Sequence, residues 1–345
     1  MVTLIATVFV FAVIVLIHEW GHYITAKWTG MRVDEFAIGF GPKVWSTTRG
    51  ETEYSVRAVP LGGFTAIAGM TQEDVETNQV PASRAFVSKS APRRFLVIVA
   101  GAMMNFILAI VLMAGIFATQ GVTSLSTEPR VGGVVAQSAA AQAGIVAGDR
   151  ILAIDGTPIS VWTDISPQVE KAGGNVIHIT VDRNGSVREL ETIPQSKDGR
   201  VLLGITPSTI VQEVSPIDAI LLSVERCYLT VVQMLQALAG MVTGETSGAD
   251  LAGPVGIAQL AGNVARTGFS NLLMFTAVLS LNLGLINLLP IPVLDGGRLV
   301  QIIWEAIRGK RLPDEALYRI QMVGLVFLAG VFILATGNDL LRFLK

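Results

Sequence analysis

The stretch His18-Glu19-Trp20-Gly21-His22 closes the first apolar run of the chain, Val2–Ala26, and the rest of the sequence arranges itself around it. On a helix, residues four apart share a face about one turn apart, so both imidazoles can reach a single metal ion. Glu19 falls beside them and can take a proton from a water that the metal activates. A His-Glu-x-x-His arises by chance in roughly one chain of this size in a hundred. Ionisable groups inside a lipid-spanning segment cost on the order of 2.5–3.5 kcal/mol each, less for neutral His. Three of them here argue for a use beyond capping the end of an anchor helix.

The chain has 345 residues, 51% apolar and 15% charged, with a mean hydropathy of +0.57. That is too apolar for an ordinary soluble globule and points to a membrane protein with a polar insert. The net charge of −2 leaves no basic footprint for nucleic acid. Cys227 is the one cysteine, which excludes an intramolecular disulfide. The N-terminus lacks a basic n-region and a small-x-small cleavage pattern, so Val2–Ala26 is expected to be a retained span.

Four runs meet the requirement of about 20 apolar residues for a span: Val2–Ala26, Phe95–Thr119, Phe269–Leu289, and Met322–Thr336 with its flanks. Asp218, Glu225 and Arg226 interrupt Ile217–Val242, which suits an amphipathic helix at the interface. Arg93 and Arg94 abut the second span and Arg308, Lys310 and Arg311 precede the fourth, so both loops should be cytoplasmic. The expected order is a first span over 1–26, a cytoplasmic or re-entrant β region and loop over 27–94, and a second span over 95–119. An extracytoplasmic soluble unit over 120–207 and extracytoplasmic amphipathic helices over 208–268 follow. A third span over 269–297, a cytoplasmic helix and loop over 298–317, and a fourth span with the C-terminus over 318–345 complete it.

Between the first two spans, Val33–Pro42 has the pattern of a strand ending in a turn and Glu53–Pro60 alternates loosely, giving short hairpin structure beside the metal motif. Thr71–Ser90 is polar and is expected to be a loop without chemistry. Gly101-Ala102-Met103-Met104-Asn105 opens the second span. Its spacing suits a small-residue helix contact, while Asn105 needs a partner for its amide, so packing and site-lining roles both stand. His178 sits in an alternating strand, Val176–Val181, and is no ligand.

The second polar landmark is Asn287-Leu288-Leu289-Pro290-Ile291-Pro292-Val293-Leu294-Asp295-Gly296-Gly297-Arg298. Its prolines break the helix and free backbone carbonyls, which a membrane tolerates only where protein or a cavity covers them. Asp295 has two readings: the N-cap of the next helix, or the third ligand of a metal that keeps a fourth position for water. Depth favours the ligand. With four spans, the third runs in the same direction as the first and ends at the depth of His18 and His22. A crossing by Ile217–Val242 would put Asp295 about 30 Å away, across the hydrocarbon core.

Taken together, His-Glu-Trp-Gly-His, Gly101-x-x-x-Asn105 and Asn287-x-x-Pro290-x-Pro292-x-Leu294-Asp295-Gly296 resemble the site-2 protease family of intramembrane zinc metalloproteases. The bacterial RseP-type branch fits best, because the region around Gly148-Asp149-Arg150-Ile151 resembles a single PDZ domain inserted between spans two and three. The resemblance implies a polytopic α-helical membrane protein with four transmembrane helices, a membrane-associated β-hairpin region and an inserted PDZ-like α/β domain. It implies Zn²⁺ on His18, His22 and Asp295, Glu19 as general base, and Asn287 and Asn105 lining the substrate cleft with the Pro290 and Pro292 turn. The implied substrates are single-span proteins in the lipid bilayer, such as anti-sigma factors or signal-peptide remnants. A peptide tail on the PDZ unit and a multi-pass place in the bacterial inner membrane, with N-terminus and PDZ domain extracytoplasmic, complete the implied picture.

A helical substrate must be unwound before its carbonyls can be attacked, and pairing it with the Glu53–Pro60 strand would replace its lost hydrogen bonds. A non-catalytic PDZ scaffold would need no Glu19. A metal transporter would place polar residues on several spans and carry internal repeats, and the sequence has neither.

Overall fold

The computed structural model describes residues 1–70, 75, 80–197, 200–245 and 253–343. They divide into two compact units, residues 1–116 with 215–345, and residues 117–214.

The first unit opens with helix α1, Val2–Trp28, apolar along nearly its whole length. Strands β1, Val33–Arg49, and β2, Thr52–Ile67, follow as an antiparallel pair around a turn at Gly50-Glu51. Helix α2, Ala91–Gln120, begins four residues before the expected Phe95, since Pro92 suits the first helical turn. The hairpin is far longer than the short strands expected, and it is folded over on itself. Ala37 is opposite both Phe64 and Ser55, and Ile38 opposite both Gly63 and Val56. Gly39 permits the bend with φ of +88°, where a Cβ would lie 2.5 Å from the Val59 carbonyl oxygen. The result is four short segments in the order 63–67, 33–38, 53–56, 45–49.

The second unit carries β3 (Val122–Leu125), β4 (Val131–Val134), a short helix α3 (Ala139–Gln142), β5 (Arg150–Ile154), β6 (Thr157–Pro158) and helix α4 (Ile165–Ala172). Strands β7 (Ile177–Arg183), β8 (Ser186–Thr192), β9 (Gln195–Lys197), β10 (Arg200–Leu202), β11 (Ile205–Pro207) and β12 (Thr209–Gln212) complete it. The largest sheet has the order β6-β5-β7-β8. Its inward residues Ile151, Ile154, Ile177, Ile179 and Val181 pack with Val131, Ile165 and Val169 into one core. Asp149 is fully buried and takes both oxygens to Arg183 at 2.7 Å, with the Val146 N–H as a further donor. Burial opposes ionisation of that carboxyl, but these donors hold it below its ordinary value. His178 stands exposed in β7 beside Glu191.

The first unit resumes with α5 (Pro216–Thr243), α6 (Pro254–Thr267), α7 (Phe269–Leu288), α8 (Asp295–Arg308) and α9 (Asp314–Phe343). Four helices among the described residues are long and apolar enough to cross a membrane: α1, α2, α7 and, in α9, Glu315–Leu341. Helix α5, capped by Ser215 at the Asp218 N–H, is not one of them. The front of the expected Thr71–Ser90 loop lies mostly outside the described residues. Its back half is a core element: Phe86 and Val87 are buried with Val33, Ile67, Val97, Leu299 and Ile302. A second cluster, Ala6, Val10, Ile14, Ala261 and Leu272, seats α1 on α6 and α7.

Candidate metal centre

The helical spacing of His18 and His22 brings their Nε2 atoms to 3.3 Å from each other. Asp295 Oδ2 lies 3.2 Å from His18 Nε2 and 3.3 Å from His22 Nε2. Both histidines are buried, and Asp295 Oδ2 is buried with no hydrogen-bond partner. A tetrahedral ion with ligand bonds of 2.0–2.1 Å requires ligand atoms about 3.3 Å apart. Three lone-pair atoms at that mutual spacing repel one another unless a cation sits between them. The donor set and its dimensions therefore fit zinc.

Each ring is held from behind. The His22 Nδ1–H donates to the Val97 carbonyl at 2.9 Å, which turns the Nε2 lone pair inward. Asn105 lies 3.2 Å from His18 Nδ1 through its side-chain amide, and its backbone carbonyl accepts from Ser280 Oγ at 2.9 Å. The Asn105 side-chain oxygen has no partner in the orientation with nitrogen toward His18. Turning the amide over makes that oxygen the acceptor for His18 Nδ1–H, which is the tautomer a metal-facing Nε2 requires. Asn105 is fully buried and stands behind His18. Its amide found its partner in a ligand ring.

The two small-residue positions explain how α1 and α2 come close enough. A Cβ on Gly101 would lie 2.3 Å from His22 Nε2, and one on Gly21 would lie 2.5 Å from the Ala100 carbonyl oxygen. Packing and site-building are thus the same contact.

Asp295 reaches the site because the chain breaks between α7 and α8. It is the first residue of α8, after Leu294 as N-cap, and makes no capping bond. The capping reading is overturned. Its place in the first turn still favours a carboxylate through the helix dipole. Gly296 and Gly297 let the preceding loop fold back: Cβ atoms there would lie 2.0 Å from the Leu289 oxygen and 2.5 Å from the Ile291 oxygen. Val293 in that loop has φ of +81°, a strained value for a β-branched residue. Asn287 is half-buried near the end of α7, Pro292 is half-buried under Gly324 of α9, and Pro290 is exposed.

Glu19 is half-buried, and its carbonyl accepts from Thr65 Oγ1 at 3.0 Å. A Cβ on Gly63 would touch the Glu19 side chain at 3.5 Å. The segment beside Glu19 is therefore Gly63–Ile67. Within Glu53–Pro60, which the sequence pattern offered as the pairing strand, Glu53–Val56 is paired on both sides, with Ser55 opposite Ala37 and Ser46. Glu53–Val56 has no free edge, whereas Gly63–Ile67, among the described residues, pairs only with β1. Thr65, Ser280 and the Val97 carbonyl were missed at the level of sequence. Ser280 alone left a signal, a hydroxyl within an apolar span.

The model of peptidase family M50 matches residues 6–331. Zinc metalloprotease RasP of Oceanobacillus iheyensis is 33% identical, with 99% of each chain covered. The regulator of sigma-W protease RasP of Bacillus subtilis is 31% identical over 99% of this chain and 98% of its own. Zinc metalloprotease RasP of Shouchella clausii is 30% identical over 98% of each. With three candidate ligand atoms at zinc dimensions and this likeness along nearly its whole length, the chain belongs to peptidase family M50, the site-2 proteases, and is a multi-pass zinc metalloprotease.

Proposed function

We propose that this protein hydrolyses peptide bonds within the membrane-spanning segments of single-span proteins. The observation that carries the reading is the convergence of His18, His22 and Asp295 at 3.2–3.3 Å on the membrane helix that also presents Glu19. His18, His22 and Asp295 hold Zn²⁺, which when bound supplies a Lewis acid that polarises the scissile carbonyl and acidifies water. Glu19 accepts the proton of the attacking water and returns it to the leaving amine. Asn105 and the Val97 carbonyl fix the two imidazoles by their Nδ1 atoms. Asn287 and the Pro290-Ile291-Pro292 turn lie before Asp295 in the chain and offer polar groups to an unwound substrate.

The substrate strand adds to the outer edge of Gly63–Ile67, replacing the hydrogen bonds lost on unwinding. The chain is a plasma-membrane protein with its N-terminus and the 120–207 unit outside. That unit is PDZ-like, and the groove between α4 and Leu202–Ile205 receives a peptide tail. Membrane-bound anti-sigma factors and signal-peptide remnants are the substrates of choice, in keeping with the sigma-W regulator among the relatives.

The test uses purified protein in vesicles with a membrane-embedded fragment as substrate. Cleavage should stop on chelation and return with zinc. Glu19→Gln should keep about one zinc per chain and lose cleavage, whereas Asp295→Ala should lose the zinc. Cleavage by Glu19→Gln at the wild-type rate, or full zinc in Asp295→Ala, would refute the assignment.

A further inference from the structure

Helix α8, Asp295–Arg308, turns apolar residues to two sides. Leu299 and Ile302 are buried in the core with Phe86 and Val87. Arg298, Gln301 and Glu305 form a polar face that lines a cavity shared with α9. The third face is exposed, and every exposed residue of the helix before Arg308 is apolar: Val300, Ile303, Trp304, Ala306 and Ile307. Four of them, Val300, Ile303, Trp304 and Ile307, follow the i, i+3, i+4, i+7 spacing of a single helical stripe. A helix on the surface of a water-soluble protein turns polar residues outward. A contiguous stripe of large apolar side chains in that position marks a docking surface.

The level of the helix relative to α9 names the partner. The apolar span of α9, Glu315–Leu341, has 27 residues, which is about 40 Å of helix against about 30 Å of hydrocarbon core. Its unbroken apolar run begins only at Met322, after Glu315, Arg319 and Gln321. The first two turns of α9 therefore belong to the headgroup layer, and α8 runs beside them. The loop entering α8 packs on α9 at Pro292, where a Cβ on Gly324 would lie 2.5 Å from the Pro292 Cβ. Farther along, Arg298, Ile302 and Glu305 share a cavity with Leu317, Tyr318 and Gln321. Helix α8 thus lies between the edge of the hydrocarbon and the headgroups. Its last turns carry what a lipid surface takes at that level: the Arg308 guanidinium carbon lies 4.8 Å from the centre of the Trp304 ring, and Lys310 follows. We propose that α8 lies in the plane of the membrane, in the leaflet where α9 begins, with Val300, Ile303, Trp304 and Ile307 seated among lipid acyl chains. A segment whose charges read as a cytoplasmic loop is then a membrane anchor. Asp295 is the first residue of this helix, so the lipid contact also steadies the element that carries the proposed third ligand. The anchor itself requires only that α9 crosses the membrane, and no metal.

The test places the full-length protein in phosphatidylcholine vesicles with its one cysteine removed as Cys227→Ser. A single nitroxide label is then introduced through Val300→Cys, Ile303→Cys, Ile307→Cys or Lys310→Cys. Relaxation of the label by oxygen, which concentrates in lipid, is compared with relaxation by a nickel chelate, which stays in water. Oxygen should dominate at Val300, Ile303 and Ile307, and the order should reverse at Lys310. Nickel contact at the three stripe positions would put that face in water and overturn the proposal. Weak relaxation by both probes there would overturn it too, because a second copy of the chain or another protein would then cover the stripe. A second measurement needs no label: the emission of wild type minus that of Trp304→Phe isolates Trp304. That emission should be present in ordinary phosphatidylcholine and largely lost in brominated phosphatidylcholine, and its full survival in brominated lipid would refute the lipid contact.

Discussion

Replacing Gly101 by alanine tests the close crossing of α1 and α2 directly. The added methyl would lie 2.3 Å from His22 Nε2, 2.6 Å from His22 Cε1 and 2.9 Å from His18 Cε1. Ordinary contact needs about 3.5 Å, so something must move by about 1 Å. The obstruction is a proposed ligand atom, and yielding means either rotating His22 off the Val97 carbonyl or parting the helices that Gly21 also holds together. Disturbing the groups that orient a ligand costs roughly 10–100-fold in metal affinity. A displacement of about 1 Å at the reacting groups costs about 10²-fold in rate. Alanine should otherwise favour the helix by about 0.5–1 kcal/mol over glycine, so a loss of zinc cannot be charged to a weaker helix. The assay is competition for zinc against a chromogenic chelator, with cleavage measured at saturating zinc. Gly115→Ala in the same helix is the control, because a Cβ there meets nothing within 4 Å. Wild-type zinc affinity and cleavage in Gly101→Ala would refute the packing argument.

Proline at Phe64 or Thr65 should expose which N–H of the Gly63–Ile67 edge takes substrate: one variant should cleave poorly with normal zinc content, the other should chiefly disturb pairing with β1. Wild-type cleavage by both would move substrate to another grip. The Arg84 guanidinium holds the Glu51 carboxyl down at about 2 against the opposing effect of partial burial, with Lys27 assisting. The pair should stabilise the hairpin turn by about 1 kcal/mol, present above the unfolded carboxylate value of about 4.3 and lost as pH falls toward 2. Hydrogen exchange at the turn should therefore separate Glu51→Gln from wild type at pH 7 and much less at pH 3; equal separation at both would disprove it. Asp339 accepts from the Gly253 and Gly256 N–H groups at 2.9 and 2.8 Å, closing the start of α6. Asp339→Ala should lower stability by about 2–3 kcal/mol, read as the thermal midpoint in detergent, and an unchanged midpoint would show that the helix start is capped otherwise.

The sequence by itself determined what depends on neighbours along the chain. Hydropathy marked the four apolar runs, because the cost of lipid burial is summed over consecutive residues. Helical periodicity put His18, Glu19 and His22 together, and a count of crossings brought Asp295 to their depth. The single cysteine and the strand around His178 were likewise legible. Tertiary structure decided what depends on which surfaces meet. The β hairpin folds over itself, so Glu53–Val56 lies inside the sheet and Gly63–Ile67 becomes the edge at Glu19. Asn105 serves a histidine from behind, and a backbone carbonyl at Val97 serves the other, a group that every residue carries and no sequence pattern marks. Arg94 and Glu305 pair across 211 positions of chain beside a charged cavity. Pattern along a chain records the periodicity of one element against its surroundings, whereas these contacts were selected by the packing of elements far apart in sequence, where only shape and complementary charge choose the partner.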